Sequence, residues 1–142
     1  MRARPRWWLA VAQACVLLPG VRLLLLMAGY RRTMRVLGFL GGTPSSHQDV
    51  AVPQAVKEVS GAVMAVARLL PVRTRCLARS MTIWLLARRR GHVVDVVIGV
   101  APSTGGHEFA AHAWVEYATM PVNDTADVRS RYAVMPGLPP LR

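Results

Sequence analysis

Lysine is almost missing from this chain: Lys57 is the only one among 18 basic side chains, which face just 7 carboxylates for a formal net charge of +11. So positive a balance calls for an anionic counterpart, such as nucleic acid, an anionic membrane surface or an acidic peptide. The arginines are scattered and carry no nucleic-acid recognition motif, which argues against the first of these. Cysteine is equally scarce. Cys15 and Cys76 lie far apart, without the close pairs of a zinc site or the dense even spacing of a secreted disulfide scaffold, so a reducing, cytoplasmic setting is expected. The histidines are His47, His92, His107 and His112, and none lies four residues from another on a helical stretch. No metal or other cofactor is expected. No internal repeat is visible, and 142 residues suit one domain that buries roughly two thirds of its unfolded surface.

The N-terminus is apolar and basic. Arg2, Arg4 and Arg6 precede the run Trp7 to Val21, the outline of a signal peptide, yet no small-residue cleavage site follows and apolar character resumes at Leu23 to Met27. A span from Trp7 to Gly29 has the length to cross a bilayer, although Arg22 would cost ~3 kcal/mol near its centre. Three readings stay open: two buried helices broken at Pro19-Gly20, a segment attached to the membrane surface, and an export signal.

Tyr30 to Asp49 turns basic and then loop-like, the best place for a mobile connection. From Pro53, Val56, Val59, Val63, Val66 and Leu70 recur at helical spacing until Pro71 ends the run. A second helix is predicted from about Cys76 to Arg90, with Leu77, Met81, Trp84 and Leu85 on one stripe, Arg88 to Arg90 as a solvated basic last turn and Gly91 as its cap. Those arginines could also dock an acidic partner or precursor. Val93 to Val100 reads as a buried strand, Pro102 to Gly106 as a turn, and Phe109 to Tyr117 as an alternating strand. Pro121 to Asp124 is expected as a third strand and Arg131 to Met135 as a fourth. Helices followed by an antiparallel sheet make an α+β order. The expected organisation is an apolar, basic helical segment and loop at 1–48, a catalytic core at 49–135 and an irregular tail at 136–142.

Cys76 falls at the start of a helix among Arg73, Arg75 and Arg79, where unpaired backbone N–H groups and positive charge favour thiolate over thiol. The same N–H groups could hold an oxyanion. A lone cysteine is more often a small buried hydrophobe, so Cys76 needs partners. His112 sits between alanines on the alternating strand, where it is either a core histidine or a base with room for an approaching element. Trp114, on the same face, either walls a cleft or belongs to the core. A hairpin loop with an odd number of residues, such as Tyr117 to Thr119, sets Asp124 directly opposite His112, where a carboxylate could hold the imidazole's tautomer. An even loop would put them on opposite faces. Asn123-Asp124-Thr125 also reads as a turn.

Pro71-Val-Arg-Thr-Arg-Cys76-Leu-Ala-Arg-Ser, Leu85-Leu-Ala-Arg-Arg-Arg-Gly91, Ile98-Gly99-Val100 and Phe109-Ala-Ala-His112-Ala-Trp-Val-Glu116 together resemble the leader peptidases of lasso-peptide biosynthesis, which are transglutaminase-like cysteine proteases. The resemblance covers about residues 50 to 125, with a weaker echo in the apolar N-terminal segment. It implies a transglutaminase/papain-like core and a catalytic Cys76, His112 and Asp124 in that chain order. It also implies removal of the leader from a ribosomally made precursor peptide. A small leader-recognition protein and an ATP-dependent cyclase are the implied partners, and the absence of such a recognition domain before residue 50 suggests the stand-alone form. Two departures stand out: no glycine lies in Ala118-Thr119-Met120, and the chain beyond Tyr132 is short. Two other readings remain beside the peptidase: an acyl transferase or amidase with the same triad, and a non-catalytic basic module binding membrane or nucleic acid.

Overall fold

The computed structural model describes residues 5–43, 50–70, 76–102 and 109–135. Helix α1 (Pro5–Gly41), α2 (Gln54–Leu69) and α3 (Cys76–Arg89) precede β1 (Asp95–Pro102), β2 (Phe109–Tyr117), β3 (Met120–Pro121), the short α4 (Val128–Arg131) and β4 (Ala133–Val134). The four strands form one antiparallel sheet in the order β3-β2-β1-β4, so the architecture is α+β. β1 and β2 pair along their full length, from Asp95 opposite Glu116 to Pro102 opposite Phe109. The turn expected at Pro102 to Gly106 and the tail from Pro136 lie mostly or wholly outside the described residues.

α2 buries the stripe foreseen from its valines: Val56, Val59, Val63 and Val66 are all sealed from solvent. α3 is buried almost all round, with Met81, Ile83, Trp84, Leu85 and Leu86 inside. It is therefore the central helix, between α1 and α2 on one side and the sheet on the other. Its end is closed by Gly91 in the left-handed region (φ 84), with Gly91 N–H donating to Arg88 O and His92 N–H to Ala87 O.

α1 departs from expectation in two ways. The helix runs through Pro19-Gly20 and breaks instead at Gly29, whose φ of 74 and ψ of 173 are non-helical. Pro19 removes an N–H that would have met the carbonyl of Cys15, but both residues lie on the exposed face, so the freed carbonyl is not entombed. Gly29 alone reaches its backbone conformation without a Cβ penalty, and Thr33 Oγ1 donates to Gly29 O at 2.8 Å across the joint. The stretch 30–41, expected to lead into a loop, is thus helical; residues 44–49 are outside the described residues. Ala14, Leu18, Val21, Met34 and Leu37 share one apolar core with residues of α2, α3 and the sheet, which crosses the boundary expected at residue 48.

The last turn of α3 is not a solvated basic end. Arg88 stacks on Trp84, 5.0 Å from the ring centroid, and donates Nε–H to Gly42 O at 2.8 Å, pinning the end of α1. Arg90 donates to Leu86 O and to Gln13 Oε1. Only Arg89 of the three is exposed.

Candidate active site

Cys76 is the first residue of α3 and is partly exposed with a free thiol. It lines a cleft of about 520 Å³ together with His112 and Asp124, and with Ser60, Met64, Arg68, Arg79 and Asn123 from the surrounding elements. Arg73 and Arg75 lie outside the described residues. Arg68 and Arg79 make the cleft's rim cationic.

His112 is held from three directions. Its ring stacks 5.9 Å from Trp114 and lies 4.9 Å from Tyr132, while Nε2 meets Asp124 Oδ2 in a hydrogen bond between partly buried groups. Trp114 is fully buried and does not line the cleft. It serves as the floor beneath His112 rather than as a wall, because the pleat puts residues 112, 114 and 116 on one face of β2, and Tyr132 and Arg129 lie over that face. Trp114 Nε1–H donates to buried Glu116 Oε1 at 2.7 Å, and Arg129 grips both oxygens of Glu116, Nε on Oε1 at 2.8 Å and Nη2 on Oε2 at 2.6 Å. Gly99 leaves room for this stack: a Cβ there would come within 2.9 Å of Trp114 and 2.8 Å of Tyr132 Cβ.

Asp124 reaches His112 by a route other than the one expected. The β2–β3 hairpin has a two-residue loop, with Glu116 opposite Pro121 and Tyr117 opposite Met120, so the loop is even. Its residues Ala118 (φ 46) and Thr119 (φ 70) both have positive φ, the pattern of a type I′ turn. Had the ladder continued, the even register would have turned Asp124 away. It ends instead: β3 is only two residues long, Val122 N–H makes a last bond to Val115 O, and the chain then bends through Asn123 and Asp124. Strand alternation no longer applies, and Asp124 turns back to the imidazole. Its Oδ1 accepts Thr125 N–H at 2.7 Å and Arg131 Nη2 at 2.7 Å, so the turn reading and the partner reading hold together. Burial pushes the Asp124 carboxyl upward, but the bonds from His112 and Thr125 N–H and the nearby charges of His112 and Arg131 outweigh it and hold the carboxyl below its ordinary value.

Three residues to which sequence reasoning gave no such role fasten this bend. Asn123 Oδ1 accepts Val115 N–H at 2.8 Å, standing in for the ladder, and Asn123 Nδ2 donates to Ser80 Oγ at 3.3 Å. Ser80 in turn donates to Ala113 O at 3.1 Å. Ser60 Oγ donates to Val122 O at 3.1 Å from α2. An Asn beside a candidate Asp in a hairpin was the available signal; the partners of Ser80 lie 33 and 43 residues away and leave no local pattern.

A cysteine at the start of a helix, a strand histidine and a carboxylate in that chain order, on one cleft of an α+β fold, coincide with a family assignment. Residues 10–136 match the model of the transglutaminase-like superfamily. The chain belongs to that superfamily. No curated protein and no solved structure matches it. The matched span takes in α1, in keeping with that helix's share of the common core. Transglutaminase-like proteins are typically cysteine proteases or acyl transferases, enzymes that pass an acyl group through a cysteine thioester.

Proposed function

We propose that this transglutaminase-like protein is a cysteine peptidase that removes the leader from a lasso-peptide precursor. The observation that carries the chemistry is the meeting of Cys76, at the start of α3, with the hydrogen-bonded His112 and Asp124 on the walls of one cleft. The choice of substrate rests on the motifs around Cys76 and His112 quoted above.

The hydrogen-bond pattern supports one arrangement of the protons. Asp124 is a carboxylate near neutral pH, so His112 donates Nε2–H to it and keeps the Nδ1 lone pair free. Nδ1 takes the proton from the Cys76 thiol, and Asp124 stabilises the imidazolium that results. The thiolate attacks the carbonyl carbon at the leader–core junction. As the C–N bond breaks, His112 returns the proton to the leaving amine, which departs as the new N-terminus of the core. Water, deprotonated by His112, then opens the leader thioester and regenerates the thiol. N–H groups at the start of α3 suit the tetrahedral oxyanion. The small leader-recognition protein would supply precursor affinity, and the ATP-dependent cyclase would take the freed amine.

Reconstitution of the full chain with a precursor and its leader-binding partner tests this reading. Wild type releases leader acid and core amine, whose masses together exceed the precursor by one water, and Cys76→Ala releases neither. A leader carrying an added amine in place of water would identify the acyl-transfer reading. Cleavage undiminished in Cys76→Ala would remove the catalytic reading altogether.

A further inference from the structure

The part of α1 before Gly29 has two apolar faces. Ala10, Ala14, Leu18 and Val21 enter the core. On the opposite side Trp8 is 61% exposed, Val16 74%, Leu23 58%, Leu26 67% and Met27 78%, at spacings that keep them on one stripe about 28 Å long. Soluble domains rarely leave so continuous an apolar strip in water. This is also the one helix among the described residues long and apolar enough to cross a membrane. Its inner face is committed to the core, so it cannot cross without dismantling the domain.

The charge around the stripe identifies what covers it. The first forty-eight residues hold seven arginines and no carboxylate. Arg31, Arg32 and Arg35 are exposed just beyond Gly29, where the stripe ends, and Phe39, one helical turn after Arg35, is 89% exposed. Half-buried Arg22 can lay its methylenes along the strip and lift its guanidinium to a headgroup. An exposed tryptophan near one end and arginines at the other match a helix lying in the plane of an anionic bilayer.

We propose that this outer face of α1 docks the protein flat on an anionic lipid surface, with the catalytic domain outside the bilayer. Apolar side chains supply insertion, and the arginines supply the preference for negative headgroups. The proposal is independent of which acyl group Cys76 accepts.

Flotation of the full chain with vesicles of phosphatidylcholine, with and without phosphatidylglycerol, tests it. Wild type should float with the anionic vesicles at least tenfold better than with the neutral ones, and the difference should collapse in high salt. Arg31→Gln/Arg32→Gln/Arg35→Gln should weaken anionic binding by about two orders of magnitude at low salt. Val16→Ser/Leu23→Ser/Met27→Ser should abolish flotation while leaving the melting temperature near that of wild type, since none of the three is in the core. Equal binding to both vesicle types, or no binding, overturns the proposal. So does a stable dimer in sedimentation equilibrium that is dissolved by the serine variant and ignores vesicles, which would give the face to a second copy.

Discussion

Asp124→Asn changes one atom and should separate catalysis from folding. In the wild type all three neighbours are donors: His112 Nε2–H to one oxygen, Thr125 N–H and Arg131 Nη2 to the other. An amide offers one oxygen and one NH2, so a donor must face a donor whichever way it turns. With its NH2 toward His112, the imidazole has to move its proton to Nδ1, and the lone pair that would take the thiol proton is gone. With its NH2 toward Thr125 and Arg131, the bend carrying residue 124 loses its anchor instead. A wrong tautomer costs on the order of 10³- to 10⁴-fold in kcat. Losing the acceptor of the solvent-exposed Thr125 N–H costs about 0.5–1.5 kcal/mol, and the Arg131 pair, 44% exposed on the arginine side, adds at most about 1 kcal/mol. The tautomer shift should win, because it keeps a hydrogen bond at each of the three neighbours where the flipped amide sacrifices two.

Single-turnover cleavage of a precursor, with the thermal midpoint measured on the same samples, checks this. The expected result is a rate loss of about three orders of magnitude with a midpoint drop of only about 3–6 °C. The carboxyl is held below its ordinary value in the folded chain, so its stabilising share is present above about pH 4, the unfolded value, and fades as pH falls through the lower folded value. The stability gap between wild type and variant should therefore narrow in strong acid. A rate within tenfold of wild type with an unchanged melting curve would refute the assignment of protons to His112.

Asn123→Ala leaves Val115 N–H without its acceptor and should cost about 2 kcal/mol; Ser80→Ala should cost about 1 kcal/mol, and a double-mutant cycle on denaturant unfolding should find the two coupled through their shared bond. Gly99→Ala drives a methyl into Trp114 and Tyr132 and should destabilise by about 1–3 kcal/mol while slowing cleavage, since both rings seat His112; unaltered melting would contradict the packing. Ala118→Asn/Thr119→Gly gives the hairpin residues suited to positive φ and should raise the midpoint by a few degrees without altering the cleavage rate.

The parts legible in the sequence were those governed by periodicity. The valines of α2, the alternation of β2 from Phe109 to Tyr117 and the stop at Gly91 each follow from a local rule, and each element lies where that rule put it. Cys76 could be placed at the head of a helix because an apolar stripe begins there and Pro71 interrupts the one before. What failed was arbitration between local rules. Pro19-Gly20 and Gly29 are both breakers, and the outcome turned on which joint lets Leu18, Val21, Met34 and Leu37 all reach the core. Arg88 read as solvated because charge density marks helix ends, yet Trp84 one turn before it and Gly42 just past the end of α1 claimed its guanidinium. Asp124 shows the same limit more sharply: pairing arithmetic assumed that the ladder continued, and the ladder stopped at residue 122.

That early stop has a structural logic. In a regular hairpin the carboxylate opposite His112 would be fixed by the pleat, at a spacing set by the strands and by nothing else. Here the chain is released from the ladder and fastened again by side chains, and the fastening runs through Ser80, which lies one helical turn after Cys76 on α3. The Ser80 hydroxyl is fully buried and bonded on both sides, donating to Ala113 O, next to His112, and accepting from Asn123 Nδ2, next to Asp124. One side chain thus ties together the three elements that carry the cysteine, the imidazole and the carboxylate. Backbone pairing joins only two strands and cannot include a helix. A buried hydroxyl can, and its two bonds limit the freedom of α3 to slide along the sheet. The relative placement of Cys76 and His112 is then fixed by hydrogen bonds in the interior, so the cleft above them is free to keep its arginines and an open face.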